Sequence, residues 1–419
     1  ARLWPLSVMG LVLAIVICVY AWIHHELPLT NLFGGMIVMD RFALFFDVAF
    51  LVAARLTVLL SGAYLKEHRF AFGEFHSLVL LVTTGMMVLI HAGDFVTLLI
   101  GLETMSLGVY ALVACWSGNK KSAEGALKYF IMGAVASAFL IYGIALIYGA
   151  TGKTNLKELA LAAGSVEGSR LYMVGMFMVL GAMAFKVAMV PFHGWTPDAY
   201  EGAPTPVTGF MAAAVKAAGF GVLLRVFTVT FGADHFVYGY TGWADVLKWL
   251  AIFTMILGNL AALRQTNIKR MLAYSSIAHA GYIMVGVIAA GVLPEEHGGA
   301  VLYYLLAYTF TTIGAFGVVA WLGSQKRERV GLDGWAGLAG RHPAAAAAMA
   351  LFMLSLGGVP PTAGFFAKFY LFKAALQHPG LLGRFLQAVG GATYRRAKPI
   401  LVVGAVVLVV AGYGISRIN

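Results

Sequence analysis

Three lysines and one glutamate lie inside long apolar stretches of the sequence. Lys186 follows "GAMAF", Lys216 follows "MAAAV", Lys368 follows "GFFA", and Glu103 lies in "FVTLLIGLETMSLG". A lone ion in hydrocarbon is costly, so we expect Glu103 to be neutral or paired with a charge on another helix, for which Lys186 and Lys216 are the candidates. Ionisable groups at membrane depth mark ion or proton paths by default. Because burial destabilises its charged form, a buried lysine can release a proton, which arginine hardly does.

The depth of each lysine in its apolar stretch decides how easily its amine could reach water. Lys216 lies ten residues after Pro206, a residue suited to a helix start. That distance is about 15 Å along a helix, which is near the middle of a bilayer. Lys186 and Lys368 lie nearer to helix ends, where a lysine can extend its amine to the membrane surface. Lys216 is therefore the strongest candidate for a buried proton carrier, and a surface-reaching role stays open for the other two.

Three further ionisable residues are candidates that also have structural interpretations. His279 lies in "AYSSIAHAGY", four residues after Ser275 on one helix face, and is either a relay group or a hydrogen-bonded structural histidine. His193 follows a proline and is either a relay group or a residue that packs a turn. Lys128 lies near the start of a long apolar stretch and is either part of the relay or an interfacial lysine.

The composition predicts a membrane protein with many helices. Of the 419 residues, 61% are hydrophobic and 11% are charged, whereas a soluble domain carries about 25% charged residues. The apolar runs are far longer than strands, and they leave no room for a large soluble domain. We predict twelve membrane-spanning helices, at 4–23, 40–64, 74–92, 94–116, 125–150, 170–192, 204–231, 243–263, 271–292, 299–323, 344–376 and 399–414.

The basic residues set the predicted orientation. The net charge of +11 comes mostly from residues between the apolar runs, which indicates topology rather than nucleic-acid binding. Up to residue 376 they concentrate in the loops on the side that precedes the first span, so we expect this side to be cytoplasmic. The basic stretch "TYRRAKP" would then lie outside the cell. We therefore expect a helix to be missing near residues 380–390, and a half-inserted stretch is the alternative.

Proline and glycine interrupt two of the spans. The first break is "VPFHGWTPDAYEGAPTP", and the second is "SLGGVPPTAGFFAKFY". Proline removes a helix hydrogen bond and glycine adds backbone freedom, and broken helices at membrane depth occur where protein or a wet cavity surrounds them. Two such breaks in separate halves predict a duplicated, inverted-repeat transporter. The sequence contains no cysteine cluster and no nucleotide fingerprint, so we expect the energy source to be another subunit or an ion gradient.

Five motifs, in order, resemble the antiporter-like subunits of respiratory complex I, which are related to the Mrp-type cation/proton antiporters. The motifs are "GLETMSLGVYAL", "EGALKYF", "PFHGWTPDAYEGAPTPV", "IKRMLAYSSIAHAGY" and "GVPPTAGFFAKFYLF". The resemblance covers about residues 40–376, and "DAYEGAPTPV" together with a lysine at Lys368 makes the N-type subunits the most similar group. It implies an all-α polytopic fold of fourteen helices, of which about twelve are visible here, with two inverted five-helix repeats that each contain a broken helix. The implied divisions are N-terminal helices at 1–72, repeats at 73–231 and 243–390, the second of them incomplete, and a C-terminal helix at 391–419.

The resemblance also implies roles for the ionisable residues. Glu103 would pair with Lys186 on the first broken helix, and Lys216 would be the central lysine. Lys368 would be the terminal lysine of the second broken helix, with His279 between it and Lys216. The complete implied proton relay is Glu103, Lys186, Lys216, Lys368, His279, Lys128 and His193.

The residues and the resemblance together predict a proton-translocating subunit in the membrane arm of an NADH:quinone oxidoreductase. Such a chain is part of a translocase, without a redox site, cofactor or metal of its own, and NADH, FMN, iron–sulfur clusters and quinone belong to partner subunits. The implied partners are the antiporter-like M-type and small K-type subunits and lipids, with no nucleic acid, in the inner membrane of a bacterium. The alternatives are an Mrp-type cation/proton antiporter, a membrane-bound hydrogenase subunit, and a non-conducting membrane scaffold.

Overall fold

The chain is almost entirely helical. The computed structural model describes residues 3–24, 29–68, 74–237, 242–292, 294–323 and 328–376. The elements in these ranges are α1 (Leu3–His24), β1 (Leu29–Leu32), β2 (Ile37–Met39), α2 (Arg41–Glu67), α3 (Phe75–Ile90), α4 (Phe95–Ala114), α5 (Lys120–Thr151), α6 (Leu156–Leu161), α7 (Arg170–Lys186), α8 (Thr196–Gly202), α9 (Thr205–Phe210), α10 (Lys216–Arg225), α11 (Asp234–Val237), α12 (Trp243–Leu263), α13 (Ile268–Val292), α14 (Pro294–Leu322), α15 (Leu338–Arg341), α16 (Pro343–Gly357) and α17 (Ala363–Leu376).

The long helices match the predicted spans. Eight of them are long and apolar enough to cross a membrane: Leu3–His24, Arg41–Glu67, Phe95–Ala114, Lys120–Thr151, Thr205–Thr230, Trp243–Leu263, Ile268–Gly291 and Gly298–Leu322. Two shorter apolar helices, α3 and α16, lie at further predicted spans. The prediction of an all-α polytopic membrane protein is confirmed. The predicted span at 399–414 and the missing helix expected near 380–390 lie outside the described residues.

Side-chain caps explain where several helices begin. Asp40 accepts a hydrogen bond from the Ala43 amide at 2.7 Å before α2, and Asp94 accepts one from the Val96 amide at 2.7 Å before α4. Such caps satisfy backbone donors that the first helical turn leaves without a partner. Polar residues between the apolar runs therefore fix the starts of the helices that carry the ionisable groups.

Both predicted breaks are present. The helix α7 ends at Lys186, six residues earlier than predicted, because Ala188 has a left-handed backbone with φ 61° and Pro191 follows it. After α16 the chain turns at Gly358, with φ 80°, whose amide donates to the Leu354 carbonyl at 2.9 Å. In both places a left-handed residue closes the helix, which is a common helix ending.

The stretch Thr205–Thr230 is buried at every residue from 205 to 224. It contains two π-helical segments, at Met211–Val215 and Val226–Thr230, on either side of α10. Wider turns of this kind are rare and often occur at functional sites. Lys216 is the first residue after the first of these segments.

A small hairpin was not predicted. The strands β1 and β2 pair in antiparallel fashion before α2. The amide of Val38 in β2 donates to the carbonyl of His91 at 2.8 Å, and Ile37 pairs with Ala92. The hairpin therefore fixes the segment that joins α3 to α4.

Candidate functional site

Lys186, at the end of α7, is buried and bound by a hydroxyl. Its Nζ donates to Ser106 Oγ of α4 at 2.7 Å, and the residue is 4% exposed. The same amine lies 5.7 Å from the centre of the Tyr129 ring, which stacks on Trp195 at 4.0 Å. The break therefore encloses the lysine among aromatic rings. This geometry favours a buried amine over one that reaches the membrane surface.

Glu103 lies one helical turn before Ser106 on the same face of α4. Its carboxylate accepts a hydrogen bond from Ser137 Oγ of α5. Among the described residues it makes no ion pair within 4.0 Å with Lys186 or Lys216. The Lys186 amine contacts Ser106, one turn along α4 from Glu103, so the two charges are neighbours without direct contact.

Lys216, on α10, is bound by one residue of α13. Its Nζ donates to the Ser276 carbonyl at 2.7 Å and to Ser276 Oγ at 2.5 Å, and the residue is 3% exposed. Gly219 lies on the same helix, where a Cβ would approach Val187 Cγ1 to 2.9 Å and Lys186 Cγ to 3.6 Å. The absence of a side chain at this glycine allows the helix of Lys216 to pack closely against Lys186.

His279 lies one turn after Ser276 on α13 and is also buried. Its Nδ1 is 2.6 Å from Tyr304 Oη of α14. The ring of Tyr282 lies between two of the candidates, 5.5 Å from the His279 ring and 4.9 Å from Lys368 Nζ. The histidine therefore lies between Lys216 and Lys368 along one face of α13.

Lys368, on α17, reaches back to the end of the helix before the second break. Its Nζ donates to the carbonyls of Leu356 at 2.7 Å and Gly357 at 3.1 Å. These carbonyls end α16 and carry the partial negative charge of a helix C-terminus. The lysine is held by backbone oxygens of its own broken helix pair.

Two candidates lie apart from Glu103, Lys186, Lys216, His279 and Lys368. Lys128 is 45% exposed and pairs with Glu124 at 2.6 Å and with Asp198 of α8 at 2.7 Å. His193 is half-buried in the first break, and its Nδ1 has no hydrogen-bond partner within the described ranges. The geometry therefore places the other five predicted residues in a series of neighbouring sites and leaves these two outside that series.

Comparison with known proteins assigns the chain to a family. A family profile described as NADH:quinone oxidoreductase/Mrp antiporter matches residues 92–391. The chain belongs to this family. It is 50% identical over 345 residues to NADH-quinone oxidoreductase subunit N 1 of Sorangium cellulosum, covering 81% of this chain and 68% of that protein. It is 47% identical over 347 residues to subunit N of Trichlorobacter lovleyi, covering 82% of this chain and 70% of that protein.

Solved structures of the antiporter family have the same fold. A chain of respiratory complex I from Thermus thermophilus is 35% identical with a TM-score of 0.76, over 93% of this chain and 82% of that one. A chain of the Mrp complex from Dietzia is 25% identical with a TM-score of 0.79, over 93% of this chain and 71% of that one. These matches confirm the predicted similarity to antiporter-like N-type subunits.

The hydroxyl partners of the lysines in this family member were not predicted from the sequence. Ser106 follows Glu103 by three residues, and Ser276 precedes His279 by three, so both spacings place a hydroxyl beside an ionisable group on one helix face. Ser275 was singled out from the sequence, but the serine that binds Lys216 is Ser276. The i, i+3 spacing is the signal that could have identified both partners.

A cluster of ion pairs near the predicted cytoplasmic side was also missed. Lys269 Nζ is 3.0 Å from Glu328 Oε2, and both side chains are almost fully buried. Glu328 also accepts from Tyr64 Oη at 2.5 Å and from the Thr205 amide at 3.1 Å, where α9 begins. On α8, Glu201 pairs with Lys121, and Arg270 of α13 pairs with both Glu201 and Asp198. These contacts hold the segment between Lys186 and Lys216 to helices on both sides of it.

Proposed function

We propose that this chain translocates protons in the membrane arm of an NADH:quinone oxidoreductase, along Lys186, Lys216, His279 and Lys368. The observation that carries the proposal is the environment of Lys216. Its amine is bound by the carbonyl and hydroxyl of Ser276 and, within the described part of the chain, by no carboxylate. An ammonium ion at this depth without a counter-charge is destabilised by several kcal/mol, and losing a proton removes that cost.

The hydroxyl partners suit a group that changes its protonation state. An ammonium donates to a hydroxyl oxygen, and the neutral amine keeps N–H hydrogens with which it can donate to the same oxygen. The contacts of Lys186 with Ser106 and of Lys216 with Ser276 can therefore persist before and after proton transfer. A structural ion pair between a lysine and a carboxylate would lose its charge–charge attraction by the same change.

The proposed path connects Lys186, Lys216, His279 and Lys368 in that order. A proton from the cytoplasmic side would reach Lys186, pass to Lys216, and continue by way of His279 to Lys368. Glu103, one turn from the Ser106 hydroxyl, would raise or lower the stability of the charge on Lys186 as its own protonation changes. Lys128 and His193 would influence the path through the first break without lying on it.

The wider assembly follows from the same proposal. Oxidation of NADH and reduction of quinone would take place in partner subunits that hold FMN and the iron–sulfur clusters. The M-type and K-type membrane subunits would be its neighbours in a bacterial inner membrane. The segments 73–231 and 243–390 would be the two antiporter-like repeats, each with one of the two breaks.

Two alternatives make different predictions. An Mrp-type antiporter or hydrogenase subunit would use the same lysines with other partners, and the Mrp chain is similar in fold but only 25% identical, against 43–50% for subunits N. A non-conducting scaffold would tolerate the loss of the Lys216 amine. Copurification with NADH-oxidising partners separates the first from the proposal, and pumping assays separate the second.

The test is NADH-driven proton pumping in inverted membrane vesicles that carry Lys216→Ala, Lys216→Arg or the exposed control Lys157→Ala, at matched assembly. We expect Ala and Arg at position 216 both to lower pumping, because Arg keeps the charge but hardly releases a proton. Lys157→Ala should leave pumping unchanged. A wild-type proton-to-electron ratio in Lys216→Ala would overturn the relay, and full recovery by Arg would overturn the role of proton release.

A further inference from the structure

A second buried acid–base pair lies at the membrane end opposite the predicted cytoplasmic side. Asp47 is in the second turn of α2, and His91 follows the last residue of α3. His91 Nε2 is 2.7 Å from Asp47 Oδ2, and His91 Nδ1 is 2.9 Å from the Val38 carbonyl of β2. The two side chains are 12% and 3% exposed. This pair takes no part in the row of lysines.

The geometry fixes the smallest number of protons that this pair can hold. A carbonyl oxygen only accepts, so His91 Nδ1 must carry a hydrogen and donate it to Val38. The Nε2 to Oδ2 contact then needs one hydrogen between the two atoms. The pair is either imidazolium with carboxylate or neutral imidazole with carboxylic acid, and both forms hold the same single shared proton. Removing that proton would leave two acceptors facing each other.

One atom of the pair is free to take another proton. Asp47 Oδ1 is buried and has no hydrogen-bond partner among the residues that the structure describes. Buried polar atoms without partners are rare in folded proteins. An incoming proton can bind this oxygen and form an O–H bond, and the pair returns to its neutral state when it releases one proton. Such a group can load and unload a proton without separating from its partner.

The hairpin holds the histidine in a fixed orientation. Val38 binds His91 twice, through its own amide to the His91 carbonyl at 2.8 Å and through its carbonyl to Nδ1 at 2.9 Å. The next backbone contact is that of the Gly93 amide with the Met36 carbonyl, at 2.9 Å. A Cβ on Gly93 would come within 2.4 Å of the Gly35 carbonyl, so only glycine allows this approach. The ring is positioned by backbone on one side and by Asp47 on the other.

The pair lies beside the helix that carries Lys216. The neighbouring residues Phe46 and Ile90 pack against Gly221, where a Cβ would approach their side chains to 2.9 Å and 2.6 Å. Further along this helix, Arg225 binds Asp40 at 2.9 Å, and Asp40 starts the helix that contains Asp47. Within the described ranges, the other titratable or charged groups near Asp47 are Asp40 on its own helix and Cys18 of α1.

From this arrangement we propose that Asp47 and His91 form a further proton-holding site, through which this chain releases protons on the non-cytoplasmic side. The proposal rests on the proposed function, because it needs a proton that arrives from the lysine relay. It goes beyond that function in assigning a release site to the N-terminal helices, reached from the helix of Lys216, in addition to the path that ends at Lys368. Both residues are needed, because the contacts of His91 hold the shared proton and Asp47 Oδ1 is the atom that can bind a further one.

The test uses substitutions of Asp47 in the assembled complex. In Asp47→Asn the amide can donate to His91 Nε2, so the contact is kept while the titratable proton is lost. Asp47→Glu keeps a carboxyl group. The matched control is Asp94→Asn, a buried carboxylate at the same membrane end that caps α4 and binds Thr154 Oγ1 at 2.6 Å. Asparagine is also a good cap, so this control should keep the fold.

We expect Asp47→Asn to lower the number of protons pumped per NADH in inverted vesicles, Asp47→Glu to restore most of it, and Asp94→Asn to match wild type. A wild-type ratio at wild-type turnover in Asp47→Asn, alongside a lowered ratio in Lys216→Ala, would overturn the release site alone. Wild-type ratios in both would overturn the proposed function. If Asp47→Asn does not assemble, infrared difference spectra decide: a carboxyl band that changes on turnover and shifts in Asp47→Glu supports the site, and an unshifted band overturns it.

Discussion

The two helix breaks have a similar backbone and hold their lysines in different ways. In each break a helix ends, a residue with a left-handed backbone follows, Ala188 or Gly358, and a proline comes soon after. Lys186 ends the helix before its break and donates to a side-chain hydroxyl on another helix. Lys368 lies on the helix after its break and donates to two carbonyls of the helix before it.

This difference indicates different roles for the two amines. Carbonyl oxygens only accept, and the end of a helix carries partial negative charge, so the site of Lys368 favours the charged ammonium. Lys186 donates to one neutral hydroxyl oxygen, whose own O–H donates to the Leu102 carbonyl, so its site lacks the helix-end charge and favours the ammonium less strongly. We infer that Lys186 suits rapid proton transfer and Lys368 suits holding a proton until it moves on.

The largest expected effect separates these roles directly. Lys186→Met and Lys368→Met both remove an amine and keep a similar volume. We expect Lys186→Met to slow proton transfer about 10²–10⁴-fold, the range for losing a positioned proton-transfer group. Lys368→Met should have a smaller effect, because water can reach the carbonyls at this partly exposed site. NADH-driven pumping at matched assembly measures both, and a larger loss in Lys368→Met would reverse our assignment of roles.

The first break is also tied to a buried ion pair, which a pH series can test. Burial raises the pKa of the Glu328 carboxyl, but the charge of Lys269 and hydrogen bonds from Thr205, Tyr64 and Lys269 outweigh it and hold the pKa below its usual value. A lowered folded-state pKa stabilises the fold above the unfolded value of about 4.3, and this stability is lost as pH falls through the folded value. Glu328→Gln removes the charge and leaves the buried Lys269 unpaired, at a cost of about 3 kcal/mol.

Thermal unfolding of the purified complex between neutral and acidic pH measures this contribution. We expect Glu328→Gln to be less stable than wild type near neutral pH and to lose less stability on acidification. The control is Glu158→Gln, which breaks the exposed pair with Lys153 at 3.1 Å and should cost less than about 1 kcal/mol. Equal stability of Glu328→Gln and wild type at neutral pH would show that the pair does not anchor the first break.

The sequence was sufficient to predict an all-α membrane-spanning fold and the burial of Lys216, because apolar length and a charge deep inside it are local signals. The positions of both breaks followed from proline and glycine. The exact end of α7 at Lys186 did not, because it depends on the left-handed backbone of Ala188, and alanine is not a residue type that indicates this conformation. The partner of Lys216 could not be predicted, since choosing Ser276 over Ser275 depends on how α10 and α13 rotate against each other. The Asp47–His91 contact joins α2 to the end of α3, and the hairpin only orients the histidine, so no local sequence signal predicts it.

The hydroxyl partner at the first break gives the next effect in size. Ser106→Ala leaves the buried amine of Lys186 without its hydrogen-bond acceptor, and a hydrogen bond to a charged group contributes about 1.5–3 kcal/mol. We expect pumping to fall about tenfold or more. Ser276→Ala is the matched comparison: it should cost less, because the Ser276 carbonyl still accepts from Lys216. Equal losses in the two variants would mean that the hydroxyl at Lys186 has no special role.

The smallest effects should come from exchanging the left-handed residues of the two breaks. Gly358→Ala places a Cβ at φ 80° and 2.9 Å from Lys368 Cδ, so we expect a cost of about 1–2 kcal/mol and a displaced lysine stem. Ala188→Gly relieves the same backbone strain at φ 61° but loses a fully buried methyl group, worth about 0.8 kcal/mol, and adds chain entropy on unfolding. These terms nearly cancel, so its stability should stay within about 1 kcal/mol of wild type. Unfolding midpoints of the two variants check this, and a strongly destabilised Ala188→Gly would mean that the Ala188 methyl group, more than the backbone turn, determines where α7 ends.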